Sequence, residues 1–256
     1  MRPEDVRSPR FLAAARWWAR REIRRTLDGL RVAGLREARE VARRQPVIFA
    51  ATHVAWWDPF LLVVLDEALG TEGYALMDAE NLCRIPFFAR LGAIPVQRGN
   101  PRAGLRAGAA LLDRPGRAVW FFPQGRHRPA HLRPLDFQPG IRLLARLAPN
   151  AAVVPVALQY AFAEAQGPVS YACFGTTLPA REVAEHGGVV RLERAVEEAL
   201  ARIDANLAGA GEPFQALIPS REWGANADPG TRLLNALLRP RAARAARAET
   251  EEPAHG

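Results

Sequence analysis

Pro46-Val-Ile-Phe-Ala-Ala-Thr-His-Val-Ala-Trp-Trp-Asp-Pro-Phe60 is the stretch from which the rest of the chain can be read. Residues 46 to 51 are almost wholly apolar, with β-branched and aromatic members, the pattern of a strand covered on both faces. The run breaks at Thr52 and His53. Asp58 and Pro59 then precede the apolar series from Phe60 to Leu65, which reads as a helix with Asp58 as N-cap and Pro59 in its first turn. A histidine thus leaves a buried strand just before an aspartate opens the next helix. Both belong at the carboxyl end of a strand, where open α/β sheets carry their sites. A carboxylate bonded to one imidazole nitrogen fixes the tautomer and leaves the other nitrogen free to take a proton. His53 and Asp58 therefore have the makings of a general base and its orienter.

The same spacing recurs at His131 and Asp136, but Pro134 lies inside it, Arg128, Pro129 and Arg133 surround it, and no buried strand feeds it. That copy reads as loop. Outward from the first pair, strands are expected at 74–77, 93–97, 118–122, 153–160 and 169–174. Helices are expected at 59–69, 82–91, 102–112, 140–148 and 189–207. Such alternation implies an α/β fold, a mostly parallel sheet flanked by helices. Residues 1–45 read as a basic amphipathic helical arm, 46–239 as the α/β domain and 240–256, rich in Arg, Ala and Glu, as a flexible tail; no internal repeat is present.

The charge is unevenly placed. All 35 basic residues are arginine and the formal net charge is +8. Residues 1–44 hold 13 Arg against 6 acids, leaving 22 against 21 for the remainder, so the basicity belongs to the arm. A nearly neutral body without a recognition motif argues against nucleic acid as a partner. Within the arm Leu12, Ala15, Ala19, Ile23, Leu27 and Leu30 recur at helical spacing, between arginines and with Trp17 and Trp18 near its start. That pattern suits the headgroup zone of an anionic membrane, and equally a helix packed on its own domain with a solvated basic face. No apolar run reaches the length of a membrane span, and the start lacks the apolar core of a signal peptide. Cys83 and Cys173 are in no metal-ligand spacing, which favours a reducing compartment.

The loop from Pro123 to Pro139 is 17 residues long, without apolar periodicity and rich in arginine. A connection of that length between two regular elements is functional or disordered. It follows the strand at 118–122, so its start belongs beside His53. Gly125 permits a tight turn, and Arg98, Arg126 and Arg128 carry the charge-assisted donors that meet phosphate, or else face solvent.

His53-x4-Asp58 after a buried strand resembles the first motif of the glycerolipid acyltransferases, the family of 1-acylglycerol-3-phosphate acyltransferases. Three further stretches fall in that family's order. Gly92-Ala-Ile-Pro-Val-Gln-Arg98 is similar to the block ending in an acceptor-binding arginine, Phe122-Pro-Gln-Gly125 to Phe-Pro-Glu-Gly-Thr-Arg-Ser, and Val154-Pro-Val-Ala157 to the fourth. The third block departs from the pattern, with Gln124 for Glu, Arg126 for Thr and His127 in the arginine column. Gln138 likewise stands where many relatives carry lysine.

The resemblance implies that His53 takes a proton from an acceptor hydroxyl, which attacks the thioester of an acyl-CoA or acyl carrier protein donor. Asp58 would orient His53, and Arg98, Gln124, Gly125, Arg126 and Arg128 would bind the acceptor. Neither metal nor cofactor is required. The acceptor implied is a lysolipid, lysophosphatidate first, at the cytoplasmic face of an anionic membrane with the protein peripheral to it. An unphosphorylated lipid or glycolipid acceptor, or a lipid-binding protein without catalysis, stays open as the alternative. Trp56 and Trp57 either wall the acyl or acceptor path or join the core. No Gly-x-Ser-x-Gly elbow supplies a serine nucleophile for a hydrolase.

Overall fold

The computed structural model describes residues 6–162 and 167–220, together with Leu233 and Leu237; the expected tail at 240–256 lies outside them. Helix α1 (Pro9–Thr26) starts after Ser8, whose hydroxyl accepts from the Phe11 N–H, with proline in the first turn. Strand β1 (Leu30–Ala33) and helix α2 (Leu35–Arg44) follow. Then come β2 (Val47–Ala51), α3 (Asp58–Leu69), β3 (Glu72–Asp78), α4 (Ala79–Arg84) and α5 (Phe87–Arg90). The middle of the chain forms β4 (Ala93–Val96), α6 (Arg102–Ala110), β5 (Arg117–Phe121), α7 (Gly140–Leu147), β6 (Ala152–Ala161) and β7 (Val169–Phe174). It closes with β8 (Leu178–Pro179), α8 (Ala180–Ala184), α9 (Gly188–Leu207) and β9 (Gln215–Ile218).

The strands form one sheet in the order β4-β3-β5-β2-β6-β7-β1-β9, with β8 alongside β6. From β4 to β6 all pairings are parallel. β7 runs antiparallel to β6, and β1 is parallel to β7. This is the mostly parallel α/β sheet that the alternation of elements implies. The five residues of β2 are all buried, and they divide by period two. Ile48 and Ala50 face the core under α6, α7 and α9, whereas Val47, Phe49 and Ala51 face the core under α1, α2 and α3. Phe49 stacks on Trp120 at 4.4 Å between ring centres. Because β2 is covered on both faces, its hydrophobic run shows no alternation in sequence.

The N-terminal region differs from the expected arm. The helix ends at Thr26, and Leu27 and Leu30, which fit the same helical stripe, belong to a turn and to β1. Gly29, at φ +88°, turns the chain there, and a side chain at that position would meet the Ile218 carbonyl oxygen at 2.5 Å. The boundary expected at 45/46 thus falls within the sheet's own sequence, because β1 already pairs with β7 and β9. Helix α1 buries Leu12, Ala19 and Ile23 against the domain. It is clamped to α3 by Arg20, which donates through two nitrogens to Glu67. Its arginine-bearing face stays largely open.

The helix expected at 82–91 is two short ones. Pro86 separates them, since the residue before proline is driven out of the helical region, and Ile85 has φ −131° and ψ 69°. Strands β8 and β9 give no periodic signal, being two and four residues long.

Candidate active site

β2, β5 and β6 are adjacent and parallel, so their carboxyl ends meet at one edge of the sheet. The chain leaves β2 for β3 on one side, while β5 is followed by β6 on the other. This change of direction opens the crevice in which doubly wound sheets hold their sites. Three segments supply it: residues 52–58 after β2, 122–128 after β5, and the far end of β6.

Thr52 extends β2 by one step. Its N–H donates to the Val156 carbonyl, and its hydroxyl both donates to the Leu158 carbonyl and accepts from the Leu158 N–H. The backbone then turns, and His53 Nδ1 lies 2.7 Å from Asp58 Oδ2. The Asp58 side chain is fully buried. Its Oδ2 also accepts from the N–H groups of Val54 at 2.8 Å and Ala55 at 3.1 Å. The carboxylate expected to cap α3 therefore folds back on the two residues before the turn. Trp57 takes the cap position, and its carbonyl accepts from the Phe60 N–H. With a carboxylate that only accepts, Nδ1 carries the hydrogen and the neutral ring keeps its lone pair on Nε2.

Two residues that the sequence reading gave no role complete this arrangement. The Tyr160 hydroxyl, at the end of β6, donates to Asp58 Oδ1 at 2.8 Å. Burial, and next the Asp58 charge, hold its phenol well above the ordinary range, so it stays a donor. His127 lies with its ring centre 3.8 Å from that of His53, and Phe122 stacks on His53 at 4.2 Å. Burial against the site, and next the neighbouring His53, hold the His127 imidazole below its ordinary value although much of the residue is open to solvent. Tyr160 carried no motif at all. His127 was visible only as a departure within Phe122-Pro-Gln-Gly-Arg-His127.

The expected acceptor-binding residues are placed unequally. Gln124 is buried, its carbonyl oxygen accepting from the His53 N–H at 2.7 Å and its amide donating to the Leu135 carbonyl. It thereby holds the backbone of the base. Gly125 has φ +64°, and its N–H is spent on the Phe122 carbonyl, closing the turn. The Arg128 N–H donates to the His53 carbonyl, so the loop holds both peptide groups that flank the His53 Cα. The guanidinium groups of Arg126 and Arg128 both meet Asp136, at 3.1 and 3.3 Å. Arg98 is 77% exposed and bonded to Asp78 at 2.8 Å. It follows the outer strand β4, three strand spacings or about 14 Å from β2. Trp57 packs against the core and Trp56 is 58% exposed.

The loop 123–139 is held at its far end as well. Leu135 and Phe137 are buried, and the backbone N–H groups of Asp136 and Phe137 donate to the Glu193 carboxylate of α9. Among the described residues, His53, Asp58 and His127 are the one group whose donor atoms converge, within 4.8 Å, as a metal ion would need. Asp58 and Nδ1 of His53 are spent on each other, leaving two imidazole nitrogens, fewer than the three protein ligands of a catalytic zinc site. The arrangement handles a proton: an oriented base at the end of a buried strand, open on one side.

Residues 31–159 match the family model described as Acyltransferase. No curated protein matches the chain. Among solved structures it is similar to the 1-acyl-sn-glycerophosphate (LPA) acyltransferase PlsC from Thermotoga maritima. The two are 15% identical with a TM-score of 0.52, over 77% of this chain and 79% of that one, a likeness of fold.

Proposed function

The chain belongs to the acyltransferase family, and from that premise we propose that it moves a fatty acyl group from a thioester donor, acyl-CoA or acyl carrier protein, to the hydroxyl of a lysophospholipid. One observation carries the reading: His53 is locked by a buried carboxylate at 2.7 Å while its other nitrogen has no hydrogen-bond partner among the described residues. Nε2 takes the proton of the acceptor hydroxyl as its oxygen bonds to the thioester carbon. The C–S bond then breaks, and the imidazolium returns the proton to the leaving thiolate. Asp58 stabilises the imidazolium in between.

Lysophosphatidate is the first acceptor, supported by the family and by Arg98, which ends the β4 segment with its guanidinium largely in solvent. A second reading, an unphosphorylated lipid acceptor, is favoured by the carboxylates already on Arg98, Arg126 and Arg128. The test is incubation with acyl-CoA and a mixture of lysolipids, monoacylglycerol and glycolipids, with product lipids read by mass spectrometry. New esters that vanish in His53→Ala support transfer. Esters that persist in that variant, or none with any acceptor, sink it.

The reading includes peripheral attachment to the cytoplasmic face of an anionic membrane. No helix among the described residues is long and apolar enough to cross one. Trp17 and Trp56 are 67% and 58% exposed. The exposed rings of Trp18, Trp56 and Phe87 are linked through the buried rings of Phe60 and Phe88, with Trp18 on α1 among its arginines. Rings at the headgroup level beside a basic helix suit such a surface. Trp17→Ser with Trp56→Ser is expected to weaken co-sedimentation with anionic vesicles while the unfolding temperature holds; unaltered sedimentation removes this part.

A further inference from the structure

His127 is the group that an acceptor meets beside the free nitrogen of His53. It touches the base at 3.8 Å between ring centres yet is exposed, whereas His53 itself is four-fifths covered. The permanent cations of the same region carry a charge that does not vary near neutral pH, part of it offset by carboxylates. Arg126 and Arg128 share Asp136, Arg128 also donates to the Pro134 carbonyl, and Arg98 sits at the sheet's outer strand on Asp78. Against those fixed charges, the part that varies next to the base belongs to an imidazole, the one side chain whose charge changes near neutral pH. We propose that His127 tunes the choice of acceptor: unprotonated, it adds no charge beside the base and suits a lipid hydroxyl with a neutral headgroup, and on taking a proton it favours a phosphate-bearing lysolipid.

The proposal rests on the acyl-transfer reading and names the substrate class of that site. The titratable groups acting on His127 are His53 and Asp58 from the turn between β2 and α3, and Arg126 and Arg128 are its neighbours along its own loop. Asp136 stands behind the two arginines, and Tyr160 of β6 stands across Asp58. Asp58 and a hydrogen bond with the Ala55 backbone favour a proton on His127, while burial and His53 oppose it, and the opposing pair prevails. At neutral pH the uncharged form dominates, so the phosphorylated acceptor gains on the neutral one as pH falls.

The experiment uses the full chain, an acyl-CoA and two acceptors in mixed micelles. Lysophosphatidylglycerol carries one phosphodiester charge that does not titrate near neutrality, and monoacylglycerol carries none. The readout is the ratio of their kcat/KM values at each pH, in which any change in His53 common to both acceptors cancels. In the wild type this ratio is expected to rise about tenfold between roughly pH 8.5 and pH 5.5, as one charge-assisted contact to phosphate forms. His127→Arg should make the ratio high and level with pH, and His127→Gln low and level. Both replacements are at an exposed position, and equal unfolding temperatures would show that the fold is kept. A wild-type ratio that ignores pH, or a pH-dependent ratio retained in His127→Gln, overturns the proposal and leaves acyl transfer standing. Absence of ester with either acceptor overturns both.

Discussion

Four residues separate His53 from Asp58, and four separate His131 from Asp136, yet only the first pair meets. His53 leaves a strand buried on both faces, and the backbone turn that follows aims two N–H groups and an imidazole at one carboxylate oxygen. His131 sits exposed in a loop, and Asp136, at φ +62°, takes Arg126 and Arg128 instead. A spacing of five carries chemistry only where packed elements on either side hold both ends; in the loop the same spacing leaves the carboxylate to the nearest cations. The second pair still matters, because Asp136 ties down the arginines that would otherwise face the base.

The sharpest way to break this contrast is to remove each histidine. His53→Ala is expected to lower kcat by about 100-fold or more, the contribution of a general base, and His131→Ala to leave it within about twofold. Similar losses in the two variants would mean that the pairs are not different in kind. The aspartates give the next largest effect. Asp58→Asn keeps the shape but offers His53 Nδ1 the wrong partner, and kcat should fall by roughly 100-fold. Asp136→Asn frees two guanidinium groups without touching the base, so its effect should fall on KM for a phosphorylated acceptor. A fall in kcat of the same size at Asp136 would contradict the division of labour.

Tyr160 sharpens the comparison further, because Asp136 has no counterpart to it. Tyr160→Phe removes one hydrogen bond to a buried charge, worth about 1.5 kcal/mol or roughly tenfold in kcat, with KM for either substrate little altered. Recovery of the activity at some other pH would show that the hydroxyl tunes the base rather than fixing its position.

How much of this could be read beforehand depended on the range of the signal. The strand at 47–51, the helix after Asp58 and the sheet's alternation rest on local runs of apolar residues, and they stand where those runs put them. The break at Thr26 does not: Leu27 and Leu30 keep the helical period, and only the close approach of Gly29 to β9, far along the chain, forces the turn. Pairing with a distant strand overrode a local pattern. In the site, His53 and Asp58 are five apart and visible as a pair. Tyr160 lies 102 residues from Asp58, and nothing in the composition of β6 marks its hydroxyl. Gln124 was legible as an unusual residue, but its partner is a backbone N–H that no motif records.

The smallest effect concerns a third aspartate, on the same helix as Asp58. Asp66 is also buried, yet its donors are the Thr71 hydroxyl at 2.6 Å and the Trp120 indole at 3.0 Å, neither a histidine nor a cluster of backbone amides. Burial therefore prevails and raises its carboxyl above the ordinary 3.8. The sign follows from proton counting. Above 3.8 the unfolded chain releases this proton while the folded protein keeps it, so stability falls as pH rises, until the folded group ionises too. Asp66→Asn is neutral at every pH and lacks that loss, whatever constant cost its amide carries. The difference in unfolding free energy between variant and wild type should thus move in favour of the variant as pH is raised from about 4 towards neutrality. Urea titrations at several pH values measure it. Parallel curves would mean that Asp66 ionises in the fold as freely as outside it, and that a buried aspartate on α3 needs no histidine to hold its charge.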